Sequence, residues 1–463
     1  MPVSVQILLE KNPREVHLHF LGICGIAMGQ MAIELQRLGY RVTGSDDQSD
    51  PPMSLMLAAA GIDVDSSGEN RRNCDMLVIG RGHSLVDTGV SFVSLPELVS
   101  AFTQQAAQRV AVAGTKGKTT TTSMLTWMAH FAGLQPDYLI GGVPGNFPSG
   151  LHLNRSPLAI LEGDEYASSP TDLTPKFVHY RPTAAVLTNI HPDHLELYPE
   201  FDSYEELFVS MLANLPNNGF AVVSGDASSN CIKAIAASSA PVTTVGWEET
   251  STSRLTDYAA DNDGTRFTFL GHAFHLSLLG KANVLDAALA IAAAHHLGIE
   301  PKISAKALRD FLPVQERLQH VGTPGGVRLF VDSNVHPASL QTAVEALRER
   351  HPTGRLLCLI QPQTPGPGDG YVQRTLPQAL EQASHVLVAP PANQLEDCDP
   401  PFSCEQLIAD LTSLNITSAY RATRKTLVAW VVENIHAGDT ILIAVHAPSR
   451  ALLVREITAA IEP

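Results

Sequence analysis

Residues 110–125 read VAVAGTKGKTTTTSML. Four small apolar residues, the pattern of a buried strand, run into a turn with two glycines, then Lys118, then a threonine-rich helical stretch. Gly114 and Gly117 carry no Cβ, so backbone N–H groups there can turn toward a ligand. A helix starting at such a turn offers unpaired N–H groups and a partial positive end to a phosphate. Lys118 can reach terminal phosphates, and the Thr119 hydroxyl can ligate Mg²⁺. The full G-x-x-x-x-G-K-[S/T] spacing is not met, because Val112 is not glycine, so the loop is a shorter GTKGKT form. A plain Gly-rich turn leaves four successive threonines unexplained, since they fill a helix poorly unless their hydroxyls are used.

Around this loop the chain reads as repeated strand–helix units. VHLHFL at 16–21 predicts a strand, 27–38 a helix ending at Gly39, 40–44 a second strand and MLVIG at 76–80 a third. QQAAQR at 104–109 reads as a polar helical restart before the strand 110–113. Ala-rich 288–299 predicts a buried helix, and 240–278, rich in Thr, Ser and alternating apolar residues, predicts antiparallel strands. After a turn-rich junction at 321–327, RLFVDS, RLLCLI, HVLVAP and TILIAV read as four buried strands. QPQTPGPGDG at 361–370 is a loop by composition. Such alternation predicts parallel sheets covered by helices. The expected architecture is α/β in three consecutive domains. Residues 1–107 form a Rossmann-like domain, 108–320 a phosphate-loop domain with a small antiparallel subdomain, and 321–463 a second Rossmann-like domain.

Composition narrows the function. The 463 residues carry 31 Lys+Arg against 47 Asp+Glu, a net charge of −16. That argues against nucleic acid or an anionic membrane surface, which need clustered basic residues. The six cysteines are scattered without a CxxC pair, which suits a reducing compartment rather than a disulfide framework or zinc site. No signal-peptide pattern or membrane-spanning apolar stretch is present, so a cytoplasmic protein is expected.

Two further strand ends carry chemistry. LAILEGDEY at 158–166 places Glu162 where a strand stops, a natural carboxylate for a metal that also takes phosphate oxygens and water. AAVLTNIHPDHLELY at 184–198 ends a strand at Thr188 and Asn189, followed by His191 and His194 at i, i+3 spacing. Ligands of open α/β sheets bind at the carboxyl ends of strands, which favours His194 as a functional residue and His191 less so. Near the N-terminus, Gly22, Gly25 and Gly29 follow a strand and Asp46 follows the next. The glycines suggest a diphosphate held at a helix N-terminus. A nicotinamide-dependent enzyme is the alternative, opposed by the second phosphate loop downstream.

GTKGKTT, EGDEY, TNIHPDH and ERLQ at 316–319, in this order across nearly the whole chain, resemble the Mur ligases, ATP-dependent amide-bond formers of peptidoglycan synthesis. GICGIAMGQMA and TGSDDQSDPPMS are similar to the muramate-binding branch. PPMS, GGVPGNF and KFVHYRP are similar to its recycling members, which join UDP-N-acetylmuramate to L-alanyl-γ-D-glutamyl-meso-diaminopimelate. The resemblance implies that activity, through an acyl phosphate. Addition of L-alanine, or non-catalytic binding of nucleotide or UDP-sugar, are the alternatives. It implies an ATP site of Gly114, Thr115, Lys116, Gly117, Lys118, Thr119 and Thr120, with Asn283 at adenine and Arg317 and Asp332 reaching the nucleotide. Lys118, Glu162 and His194 would be catalytic, and Thr119, Glu162 and His194 would hold Mg²⁺ or Mn²⁺. Gly22, Gly25, Ala27, Met28, Ser45, Asp46 and Ser84 would line the UDP-sugar site, with Asn189 and His336 also at substrate. The implied partners are UDP-N-acetylmuramate and a peptide or amino-acid amine.

Several motifs depart from the family pattern. GKANVLD at 280–286 has Ala282 and Asp286 where the adenine motif has His and Asn. VDSNVHP at 331–337 keeps Asp332 and His336 but loses an acid and a histidine, and VHAPSR at 445–450 replaces a Gly-rich loop. The departures concentrate in the C-terminal part, so the acid substrate is better specified than the amine.

Overall fold

The computed structural model describes residues 5, 10–47, 49, 51–65, 71, 73–80, 89–193, 197–198, 200–226, 229–261, 263–363, 370–391, 402–445 and 449–462. Three principal sheets follow one another along the chain. The first has four parallel strands in the order Arg41–Ser45, His17–Leu21, Met76–Ile79, Phe92–Ser94. All five residues of His17–Leu21 and all four of Met76–Ile79 are buried, as strands covered on both faces must be. The helix Ile26–Arg37 turns Met28, Met31 and Leu35 inward.

The second sheet has eight strands, and Gln108–Ala113 lies near its middle, between Ala184–Leu187 and Leu158–Glu162. Only its edge pair, Asp137–Leu139 with Leu151–His152, is antiparallel. Register aligns the strand ends. Leu187 is opposite Ala113, and Glu162 is opposite Val112, so the loops after all three strands meet at one edge. The Ala-rich helix Gly280–His296 packs against Lys118–Phe131, and Ala287 to Ala294 are buried along it.

The expectation for 240–278 needs correction. Val242–Gly246 and Ser253–Arg254 extend the parallel sheet, and only Thr256–Asp261, Gly264–Phe269 and His272–Leu276 form an antiparallel sheet. Alternation on a half-covered edge strand looks the same in either sheet type. The helical reading of 104–109 also fails. The helix Leu95–Thr103, opened by a Ser94–Glu97 capping box, ends there, and Gln108 already begins the next strand.

The third sheet has six strands, ordered Gln319–Gly322, Arg328–Val331, Thr440–Ala444, Leu356–Ile360, His385–Val388, Thr417–Tyr420. The four anticipated strands form its centre. The two edge strands, less buried, carry too little apolar signal to be read from sequence. Of the anticipated loop 361–370, residues 364–369 lie outside the described set.

Contacts fix the first and third parts against the second. Glu34 accepts the Leu153 N–H at 2.6 Å, and Gln30 donates to the Gly142 carbonyl at 2.8 Å. At the other junction Gly280 has φ 84°, and a Cβ there would lie 2.8 Å from that of Ala346. Tyr258 donates to Glu349 at 2.5 Å across the same boundary. Among the described residues no helix is long and apolar enough to cross a membrane.

Candidate active site

The loops at the carboxyl edge of the central sheet open into a cleft of about 1230 Å³ that takes residues from all three parts of the chain. Gly117 sits at φ 83° immediately before the helix Lys118–Phe131, a left-handed conformation that favours glycine. A Cβ there would come within 2.3 Å of the Asp286 carboxylate, so the loop also presses closely on the adjoining helix. Asn189 braces the loop from the next strand end. Its Oδ1 accepts the Lys116 N–H at 3.0 Å, and its Nδ2 donates to the Lys116 carbonyl at 3.0 Å. Asn189 lines the cleft, but its amide is engaged in holding the loop rather than waiting for substrate.

Lys118 lies folded over the loop. Its Nζ donates to the Gly114 carbonyl at 2.7 Å and to Glu165 Oε2 at 2.9 Å. Burial lowers the affinity of this ammonium for its proton, but Glu165 and Asp164 outweigh burial and hold its pKa above the ordinary value. Glu165 is itself placed by Tyr204, whose hydroxyl donates to Oε1 at 3.1 Å. The Thr119 hydroxyl donates to Glu162 Oε1 at 2.8 Å, and Gly141 N–H donates to Oε2 at 2.6 Å. Burial and then the nearby Asp164 raise the Glu162 pKa, against the Gly141 N–H, the Lys118 charge and the Thr119 hydroxyl, which favour the carboxylate. Among the described residues no group of three or more His, Cys, Asp or Glu could hold a metal alone. The Thr119 and Glu162 oxygens therefore suit a hard cation completed by phosphate and water, as Mg²⁺ is usually held. His194 lies outside the described residues. His191 lines the cleft from a segment, 191–193, that is not helical.

Lys116 pairs with Asp193 at 2.9 Å. His336 faces this pair from the third part of the chain and caps the helix Pro337–Arg350, its Nδ1 accepting the Ala338 N–H at 3.2 Å. Burial, then the Lys116 charge, lowers the His336 pKa to about 4, so the imidazole is neutral near pH 7.

Gly114, unlike Thr115 through Thr120, is not on the cleft wall. It is covered by Thr188, whose Oγ1 would be 2.2 Å from a Gly114 Cβ. Asn283 lines the cleft beside Leu278, Ala282 and Leu285, with its Nδ2 donating to the Leu279 carbonyl at 2.7 Å. Arg317 and Asp332 also line it. Asp332 holds the turn that carries Arg317 by accepting the Leu318 N–H at 3.2 Å and the Asn334 N–H at 2.8 Å.

Two residues that sequence reasoning did not single out secure this turn. Glu316 has φ 59°, uncommon for a side chain of its size, and Arg450 grips both of its carboxylate oxygens. Arg450 is 3% exposed and also donates to the Val445 carbonyl at 2.7 Å. The pair is 134 residues apart in sequence, so no local pattern announces it. The sequence signals are the ERLQ motif that Glu316 opens and the unusual VHAPSR stretch that Arg450 ends.

The first-part candidates divide. Gly25 and Ala27 reach the cleft, together with Ile26. Met28 does not: it is packed inward, 3.7 Å from where a Gly80 Cβ would lie. Gly22, at φ 78°, donates its N–H to the Ser45 carbonyl at 2.8 Å, and Asp46 accepts the Cys24 N–H at 2.8 Å. These bonds tie the Gly-rich turn to the second strand. Ser45 is 2% exposed, and its hydroxyl is taken by His19 at 3.2 Å and the Arg71 guanidinium at 3.1 and 3.2 Å. Ser84 lies outside the described residues.

Comparison with known proteins agrees with this arrangement. Residues 17–79 match the Mur ligase family catalytic domain, 112–294 the Mur ligase middle domain and 316–445 the Mur ligase glutamate ligase domain. A Haemophilus influenzae protein named UDP-N-acetylmuramate–L-alanyl-γ-D-glutamyl-meso-2,6-diaminoheptandioate ligase is 30% identical over 92% of this chain and 95% of its own. A Psychrobacter UDP-N-acetylmuramate–L-alanine ligase is 32% identical, over 74% of this chain and 75% of its own. The crystal structure of a murein peptide ligase from Psychrobacter arcticus superposes with a TM-score of 0.73 at 27% identity, covering 96% of this chain and 98% of that one. With matched domains in the same order and a relative 30% identical over nearly its full length, the chain belongs to the Mur ligase family.

Proposed function

We propose that this protein is an ATP-dependent ligase that joins UDP-N-acetylmuramate to the tripeptide L-alanyl-γ-D-glutamyl-meso-diaminopimelate in peptidoglycan recycling, in the cytoplasm. The observation that carries the reading is the cleft in which the phosphate loop, the Glu162 carboxylate, Gly25 to Ala27 of the first part, Arg317 of the turn before the third sheet and His336 of the third part converge. Such a cleft can bring a nucleotide, an acid and an amine together. The near full-length likeness to the Haemophilus influenzae ligase supports the choice of substrates.

The chemistry follows from positioning and charge. An oxygen of the muramate carboxylate attacks the γ-phosphorus, the β–γ bridging bond breaks, and ADP leaves. The tripeptide amine then attacks the acyl carbon, phosphate departs with the bonding pair, and the nitrogen gives up a proton. Lys118 supplies positive charge at the transferring phosphoryl group, exchanging its Glu165 contact for phosphate oxygens. Mg²⁺ (or Mn²⁺) held beside Thr119 and Glu162 would neutralise triphosphate charge. His194 remains the candidate for a second contact there. Asn283 and its apolar neighbours form a slot for adenine, and Arg317 reaches the phosphates from the turn that leads into the third sheet.

The Psychrobacter relative makes L-alanine the competing amine. Mass spectrometry of the product distinguishes the two. The reading is supported by a UDP-muramoyl-tripeptide formed with release of ADP, and it fails if only UDP-muramoyl-alanine is made from a mixture of both amines.

A further inference from the structure

Two anions must approach each other in this cleft, the carboxylate of the acid and the γ-phosphoryl group. Lys118 lies at the phosphate loop, so the carboxylate needs a cation of its own to come within about 3.5 Å of the phosphorus. Among the described residues the lysines and arginines lining the cleft are Lys116, Lys118, Lys176 and Arg317. Lys116 is paired with Asp193 on the side of His191 and His336. Arg317 lies on the turn that leads into the third sheet, held there by Asp332.

Lys176 is placed differently. After the strand Leu158–Glu162 the chain makes a short hairpin, Ala167–Ser169 with Asp172–Pro175, which returns Lys176 to the strand end it left. Its Nζ donates to Asp164 Oδ2 at 2.8 Å, and the Tyr166 hydroxyl donates to the same oxygen at 2.8 Å. The Tyr166 ring lies 4.3 Å beneath the ammonium. Two side chains, Asp164 and Tyr166, thus fix the lysine head from two sides. An ammonium has three hydrogens, so it keeps hydrogen-bonding capacity for a ligand. The helix that Lys176 opens, Lys176–His179, packs on Leu95–Thr103 of the first part. Lys176 therefore stands between the phosphate loop and the part of the chain from which a bound acid would enter.

We propose that Lys176, held by Asp164 and Tyr166, receives the carboxylate of the acid substrate and presents it to the γ-phosphoryl group. This rests on the reading of the cleft as the meeting place of ATP and a carboxylic acid. Ion pairing keeps the lysine charged: burial disfavours its proton, but Asp164 outweighs burial and raises the pKa.

The test is steady-state ADP formation by the full-length protein with Mg-ATP, UDP-N-acetylmuramate and the tripeptide. In Lys176→Met the KM for UDP-N-acetylmuramate is expected to rise by about tenfold or more, the loss of one charge-assisted contact. The KM for ATP is expected to stay within about twofold. Lys176→Gln, which still donates to Asp164, covers the case in which the methionine variant does not fold, and the same split is expected. The double variant Lys176→Met/Asp164→Asn removes both charges. It retains the raised KM if Lys176 meets the substrate and regains the wild-type value if Lys176 only neutralises Asp164. Unchanged KM for the acid in the single variants, an equal rise for ATP, or recovery in the double variant overturns the inference. Wild-type protein that forms no ADP with this acid overturns the functional reading and the inference together.

Discussion

Replacing Asp286 by Asn removes a carboxyl that this fold can ionise only at a cost. Asp286 lies on the helix Gly280–His296, 9% exposed, with its carboxylate directly against Gly117. Burial raises its pKa to about 8, and the Thr121 hydroxyl, which favours the charged form, does not offset burial. In the unfolded chain an aspartate titrates near about 3.9. Between those values the folded protein holds a proton that the unfolded chain releases, so stability falls as pH rises through the window. The slope approaches about 1.4 kcal/mol per pH unit, which makes roughly 2 kcal/mol between pH 6 and pH 8. Asn does not titrate, and other groups titrate alike in both proteins. The stability difference between Asp286→Asn and wild type is therefore expected to widen by about 2 kcal/mol over that interval in urea unfolding. The same variant should flatten any loss of nucleotide affinity above pH 7. Parallel stability curves at pH 6 and pH 8 would refute the reasoning, since they would mean that Asp286 is ionised and solvated in the folded protein.

Other consequences are sharp enough to measure. Lys118→Ala should lower ADP formation by at least about a hundredfold, the usual scale for losing a preorganised charge at the reacting group, with little change in the KM for the acid. Arg450→Met should release Glu316 and with it the Arg317 turn. Titration with ATP should show affinity down by about tenfold, and the unfolding midpoint should report a loss of about 2 kcal/mol. Between pH 6.5 and pH 4 His19 and His336 should work against Asp286, each lowering stability as pH falls. Burial lowers the His19 and His336 pKa values to about 4, so the unfolded chain binds protons there that the folded one does not. The unfolding midpoint of His19→Gln should therefore rise relative to wild type as pH falls through that interval, and an unchanged difference would contradict it.

The sequence was most legible where one short stretch carried both a structural and a chemical reason. GTKGKT combined a strand, two flexible turn positions and a lysine, and the structure places Lys118, Thr119 and Glu162 together as the register of neighbouring strands requires. Buried central strands were equally plain, because a continuous apolar run has few alternatives. Edge strands are not, and the same weak signal hides where the parallel sheet ends, at Ser253–Arg254, and the antiparallel one begins, at Thr256. Residues named through family resemblance fared according to what their side chains meet. Gly25 and Ala27 reach the cleft, whereas Met28 faces the core and Ser45 is held by His19 and Arg71. Distant pairs such as Glu316 and Arg450, or the return of Lys176 to Asp164, depend on tertiary folding that no local spacing encodes.

The central claim is that the cleft couples ATP cleavage to amide formation on a muramate acid. Phosphate release from purified protein with Mg-ATP and UDP-N-acetylmuramate, measured with the tripeptide, with L-alanine and with no amine, tests it most directly. Release that depends on the tripeptide is the expected result. Release that is the same with and without any amine, or absent with all of them, would contradict the account.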